Sequence, residues 1–441
     1  MRRPSSPAQD SQNTNVTEWS VEELIAMQFA YVKALAESTP SAGSSSPPTT
    51  NSNTEPIRDV VLSVPPDFTP HERDALVDAL ELAGLRLLAL VHDGTAAALN
   101  YAMTRTFPSE GEWHVIYDAG AGGVRASVVQ LKTTTGDSSK SKSTTGSGST
   151  THINVASAGW DRSSGGLVLD TRLRDILASD AASKLGLPLS TLLADPRASA
   201  RLWKEASRVK AVLSANTDAL VSIEALISDD KGGDYRSRVT RAQFEEACSD
   251  LTGKFGQPIE DALQRAGLGV GDITSVILTG GHSRVPMVQA AVRRVLETAP
   301  GGGASAISKI ATSVNADEAV VLGAALYGAS VSRQFRTKEL KVVDVMSYDV
   351  QVSYQTEVKP TTEGGASDEG EESDGSQKPL KAPRTINTLV FPVGSKAGSK
   401  KTLTFRRKDD FTLKIGYREP GDGYVCPFVP LLNSLVTLFT Q

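Results

Sequence analysis

The segment Leu278-Thr279-Gly280-Gly281-His282-Ser283-Arg284-Val285-Pro286 joins the end of a strand to the start of a helix. Its first residue closes the apolar run 275–278, the glycine pair breaks that run, and Pro286 opens an amphipathic stretch over 285–296. Proline suits a first helical turn because its φ is preset and its missing N–H is not needed there. Glycines let backbone N–H groups approach an anion, and the helix N-terminus behind them adds the favourable end of the helix dipole. Gly280, Gly281 and Arg284 are therefore candidate ligand contacts, the flat guanidinium of Arg284 being suited to stack on a purine. Read alone, a plain strand-to-helix turn explains the same residues equally well.

Tyr117-Asp118-Ala119-Gly120-Ala121-Gly122-Gly123 has the same grammar, a strand ending in an acid and then a turn of small residues. Gly120, Ala121, Gly122 and Gly123 could bring backbone N–H groups to phosphate oxygens, and Asp118 could hold a water bound to Mg²⁺. A tight hairpin between strands at 113–117 and 126–131 accounts for the glycines without any ligand. Ser207, Lys210 and Ser214 are three and four apart, so they share one helical face that could meet a ribose and base, or could simply face water. Asp317 lies in Val314-Asn315-Ala316-Asp317-Glu318-Ala319-Val320-Val321-Leu322-Gly323-Ala324-Ala325, a capped small-residue helix able to pack tightly.

Around these segments, short apolar runs alternate with amphipathic ones, the pattern of an α/β fold. Strands are expected at 60–64, 113–117, 126–131 and 275–278, and helices at 20–36, 71–82, 167–177, 198–213, 241–266 and 285–296. The first helix carries a Ser20-Val21-Glu22-Glu23 capping box. From 340 onward, strand-like pieces at 341–345, 348–354, 388–392 and 402–406 follow one another without helices, which marks a domain boundary near 332–338. Polar stretches at 38–54, 133–151 and 360–383 read as loops, the last an acidic insertion. The 441 residues are 39% hydrophobic with a formal charge of −5, which supports a sizeable core and argues against a nucleic-acid partner. No apolar run reaches the roughly 18 residues of a membrane span, and 1–20 lacks the apolar stretch of a secretory signal. Cys248 and Cys426 have no ligand spacing and read as free thiols.

In this order the segments together resemble the nucleotide-binding domain of the seventy-kilodalton heat-shock chaperones, an actin-like, ribonuclease H-like ATPase fold. Val61-Leu62-Ser63-Val64-Pro65-Pro66-Asp67-Phe68 with His71-Glu72-Arg73, and His92-Asp93-Gly94-Thr95-Ala96-Ala97-Ala98-Leu99-Asn100-Tyr101, are similar to further family segments. Gly159-Trp160-Asp161-Arg162 before Gly165-Gly166-Leu167, the Asp-x-Gly-Ala-Gly loop and the acidic insertion resemble the large endoplasmic-reticulum branch. The resemblance implies ATP or ADP with Mg²⁺ as cofactors. It gives Asp93 and Asp118 catalytic roles, with Asp118 reaching magnesium through water. It gives nucleotide contacts to Gly120, Ala121, Gly122, Gly123, Lys210, Ser214, Gly280, Gly281, His282, Arg284 and Asp317. It implies unfolded polypeptides and a conventional partner chaperone as partners, and the endoplasmic-reticulum lumen as location. The expected organisation is a tail at 1–16, a nucleotide-binding domain at 17–332, a linker at 333–340, a partial β-sandwich at 341–422 and an atypical tail at 423–441.

Departures from the family pattern are specific. The chain enters the pattern at the helix over 20–36, so the domain is expected to be incomplete at its N-terminus, without a first phosphate loop and the lysine that follows it. Gly123 stands where a hydroxyl residue would orient water, Arg125 where a second Asp is usual, Asp93 in place of a Glu, Gly94 in place of a Pro, and Ser207 in place of a ribose-binding Glu. Losing one preorganised group at such a centre costs about 10²–10³-fold in rate, so several losses predict nucleotide binding without efficient hydrolysis. The leading expectation is an ATP-binding chaperone assisting folding, with nucleotide-exchange or holdase character. A non-hydrolysing binding protein and a non-functional truncated fragment are the alternatives.

Overall fold

The computed structural model describes residues 18–39, 56–135, 149–227, 233–311, 314–332, 335, 337–355, 385–405, 411–417 and 436–438. They fall into two compact units, one within 1–68 and 72–344 and one within 69–71 and 345–441. Chain order begins with α1 (Val21–Ser38), β1 (Asp59–Val64), α2 (Pro70–Leu82), β2 (Arg86–His92) and α3 (Asp93–Met103). The Ser20 hydroxyl accepts from the Glu23 N–H at 3.2 Å while the Glu23 carboxylate accepts from the Ser20 N–H at 2.7 Å, the reciprocal capping box that starts α1. Strands β1 and β2 pair in parallel as a two-stranded sheet.

Next come β3 (Glu112–Ala119), β4 (Val124–Thr135), β5 (Ser149–Asp161), α4 (Gly166–Leu185), α5 (Leu189–Ala194) and α6 (Pro196–Ala215). The hairpin β6 (Asp218–Ile223) and β7 (Tyr235–Thr240) leads to α7 (Arg241–Ala247), α8 (Thr252–Ala266), β8 (Ser275–Thr279) and α9 (Pro286–Thr298). Then follow β9 (Ile310–Ala311), α10 (Ala319–Val331) and β10 (Glu339–Val343). A six-stranded sheet in the order β10-β5-β4-β3-β8-β9 joins these strands; β3, β4 and β5 run antiparallel, and the other neighbours are parallel.

Strand alternation assigns the two faces of that sheet. Ile116 and its cross-strand partner Ser127 lie under Gly94 of α3. The neighbouring Tyr117 points the other way, and its buried hydroxyl donates to the Phe255 carbonyl of α8 at 2.8 Å. On that second face Leu169, Leu173 and Leu177 of α4, Leu202, Val209 and Leu213 of α6, Phe244 and Phe255 pack into one core. Each such side chain contributes roughly 1.5–3 kcal/mol when fully buried. In α6 the buried positions Ala198, Leu202, Ala206, Val209 and Leu213 recur at helical spacing, which turns Lys210 toward the edge of the core.

The second unit holds β11 (Val350–Gln355), β12 (Thr385–Phe391), β13 (Phe411–Tyr417) and β14 (Val436–Leu438), an antiparallel sheet in the order β12-β11-β13-β14. Val352, Val390 and Leu413 form its small core.

Several expectations need correction. The helix expected over 241–266 is two helices, interrupted by a 3₁₀ turn at Ser249–Leu251, where Ser249 and Asp250 are residues that compete for local backbone hydrogen bonds. The piece at 402–406 is irregular over its described residues 402–405, and the pairing strand is β13 instead. The run at 341–345 contributes to β10, which pairs with β5 in the six-stranded sheet rather than with the strands that follow it. The ends of the expected loop 133–151 are strand, since β4 runs to Thr135 and β5 starts at Ser149. Strands β2, β5, β6, β7, β9, β13 and β14 lie outside the expected strands. Residues 1–16 and 360–383, Cys426 and most of 423–441 lie outside the described residues.

Candidate functional site

Two strand ends and their glycine turns converge in the first unit. β3 and β8 are parallel neighbours with Asp118 opposite Thr279, so the turns that leave them sit side by side. Gly280 has a φ of +79°, and a Cβ there would lie 2.5 Å from Asp118 Oδ1 and 2.4 Å from the Ala119 carbonyl oxygen. Only glycine permits both that backbone conformation and that approach. The Gly280 N–H donates to the Ala316 carbonyl at 2.9 Å, which draws the segment before α10 to the same place. There Arg284 pairs with Asp317 at 2.6 Å, both half exposed, and the Asp317 N–H is capped by Asn315 Oδ1 at 3.1 Å.

The turn from Gly120 to Gly123 is closed by a hydrogen bond from the Gly120 N–H to the Gly123 carbonyl at 3.0 Å, leaving Ala121 and Gly122 exposed. Its carbonyls are also engaged: Gly120 and Ala121 accept from the N–H groups of Gly166 and Leu167 at 3.1 and 3.0 Å. The first turn of α4 therefore anchors the loop. A Cβ at Gly123 would come 2.8 Å from the Asp161 carbonyl oxygen, so a hydroxyl-bearing side chain could not enter without displacing the end of β5.

Lys210 closes the third side. Its Nζ donates to Asp170 Oδ2 at 2.7 Å and to His282 Nε2 at 2.8 Å. Burial, with the Lys210 charge beside it, lowers the His282 pKa to about 4, so the ring is neutral, accepts at Nε2 and carries its proton on Nδ1. The ring lies so close to α4 that a Cβ at Gly166 would be 1.5 Å from it. Ser214 is turned inward on its own helix, donating to the Lys210 carbonyl at 2.9 Å, and Ser207 is exposed.

Asp93 opens α3 where β2 ends. Burial, reinforced by the negative charge of Asp118, pushes its carboxyl up to about 7, against the opposing pull of Arg125 and His92. Burial also raises Asp118, opposed by Arg125 and by a hydrogen bond from Thr279. The fold thus brings Asp93, Asp118, Gly120 to Gly123, Gly280, His282 and Lys210 into one neighbourhood, and it engages Arg284, Asp317 and Ser214 in local bonds.

Sequence reasoning missed the residues that hold Arg125. Asp67, 1% exposed, accepts from Arg125 Nε and Arg162 Nε, each at 2.6 Å, and Arg162 continues to Glu72 at 3.0 and 3.1 Å. Asp67 is 58 residues from Arg125 and 95 from Arg162, so no local spacing announces the cluster. An arginine within the buried strand β4 was the available signal, since a buried charge demands a partner. Asp170 was missed for the same reason, being the partner of Lys210.

The family model described as Hsp70 protein matches residues 46–367. Heat shock protein 70 homolog lhs1 of Schizosaccharomyces pombe is 35% identical over 338 residues, covering 77% of this chain and 36% of that protein. Hypoxia up-regulated protein 1 of Mus musculus is 33% identical over 408 residues, and that of Homo sapiens 32% over 408 residues; each alignment covers 92% of this chain and 36% of the relative. The chain thus spans about a third of the length of these relatives.

Proposed function

The chain belongs to the Hsp70 protein family, and from that premise we propose that its first unit is an actin-like, ribonuclease H-like domain binding ATP or ADP between the turns after β3 and β8. The observation that carries this reading is the close approach of Gly280 to Asp118, which sets the two glycine-rich turns side by side. The adenosine end would meet Arg284, Asp317 and the helix bearing Lys210 and Ser214; the phosphates would meet the backbone from Gly120 to Gly123. Asp93 and Asp118 are the carboxylates available near the phosphates. The second unit would be the partial β-sandwich that receives unfolded polypeptide. By analogy with the endoplasmic-reticulum branch, the protein would assist folding in that lumen, with holdase or nucleotide-exchange action on a conventional partner chaperone.

Binding without efficient turnover is the form of this function that the site favours. Gly123 leaves no room for a water-orienting hydroxyl, and Arg125 brings a cation where the family pattern has an acid. Melting the protein with and without ATP tests the binding: a ligand present at 100 times its Kd stabilises by about 2.7 kcal/mol. No upward shift at saturating ATP would remove the proposal. Single-turnover hydrolysis then separates the two forms, and release of phosphate well above buffer would overturn the non-hydrolysing one.

A further inference from the structure

The acidic strand ends of this site face a cation that the chain itself supplies. Asp118 and Arg125 are direct partners across the β3 and β4 ladder. The point where a Gly120 side chain would begin lies 3.7 Å from Asp118 Oδ2 and 3.9 Å from Arg125 Nη1, so carboxylate and guanidinium border the same small gap. Arg125 cannot swing away cheaply, because its Nε is bound to the buried Asp67, which Arg162 also holds. Its charge acts on both Asp93 and Asp118, drawing each carboxyl down against the effect of burial.

Magnesium is the cation expected for this family in general, and the residues here do not suit it. Mg²⁺ demands hard oxygen ligands in near-octahedral geometry. A fixed guanidinium beside Asp118 repels a divalent cation that would approach the same carboxylate. Gly123 contributes no hydroxyl oxygen, and a side chain there would press on the Asp161 carbonyl.

We infer that Arg125 stands in for the metal, so that this chain binds the phosphates of an adenine nucleotide without requiring magnesium. The inference rests on the nucleotide-binding reading above. Its test is calorimetric titration of the full chain with ADP, once in excess magnesium and once in EDTA. The Kd is expected to differ by less than about threefold between the two, whereas a loss of more than about tenfold in EDTA overturns the inference and leaves nucleotide binding intact. No heat of binding in either buffer overturns both. The wild-type comparison needs no variant to fold. Arg125→Gln adds a second reading: it is expected to weaken binding in EDTA by about tenfold or more, with part of that loss recovered in magnesium. Equal affinities for wild type and variant in EDTA contradict the role given to Arg125.

Discussion

Asp93 is a residue whose chemistry its surroundings alter strongly. Its carboxyl, ordinarily near 3.8, titrates near 7 because the end of β2 and the start of α3 leave it little water and because Asp118 adds like charge. The folded state therefore holds a proton that the unfolded chain releases, and the contribution of Asp93 to folding stability falls as pH rises between about 4 and 7. Asp93→Asn removes that liability without changing the shape of the side chain. The variant should gain stability relative to wild type as pH climbs through this window, reaching roughly 2–4 kcal/mol above pH 7, with little difference below pH 4. Urea unfolding at a series of pH values checks it, and a pH-independent difference would mean that Asp93 is ionised in the fold. Lys210 illustrates what sequence could and could not say at this scale. Its helical face was legible from the spacing with Ser207 and Ser214. Its bonds to Asp170 and His282 were not, because they span 40 and 72 residues of chain.

Elements were legible where a local physical signal existed. The capping box at Ser20 and the proline at the start of α9 announced their helices, and α6 betrayed itself by the period of its buried face. Strand β5 was hidden because Ser149, Thr150 and Thr151 look like the low-complexity run before them, and only pairing with β4 makes them strand. Strand β10 looked like the β-rich pieces that follow it, and its partner could not be known from its own residues. Helix contacts carry a sharper test. Gly323 of α10 lies so near α3 that a Cβ would be 1.7 Å from the Ala96 carbonyl oxygen, whereas at Gly328 the nearest atom is Val61 Cγ2 at 3.3 Å. In an unencumbered helix, Gly→Ala stabilises by about 1 kcal/mol. Gly323→Ala should instead destabilise by roughly 1–3 kcal/mol as α10 is pushed from α3, while Gly328→Ala should stay near neutral. Equal melting temperatures for the two variants would contradict the close helix packing.

At the scale of the molecule, the order of motifs identified the family although no single motif did. Each glycine turn had an innocent explanation as a hairpin or a strand-to-helix corner, and β3 with β4 is indeed a hairpin. What the fold adds is adjacency: parallel pairing of β3 with β8 sets the two turns against each other, and Gly280 makes the contact. The departures from the pattern gain a physical content in the same way. Arg125 is the partner of a buried aspartate, and Gly123 is required by the carbonyl of Asp161. These features suit the proposed site, one that holds nucleotide and turns it over poorly. Photolabelling with 8-azido-ADP followed by peptide mapping tests the central claim most directly. The account predicts labelling that unlabelled ADP competes away and that falls on peptides containing Gly280 to Arg284, the α6 residues around Lys210, or the segment around Asp317. Labelling that ADP fails to compete, or that falls outside these segments, would contradict it.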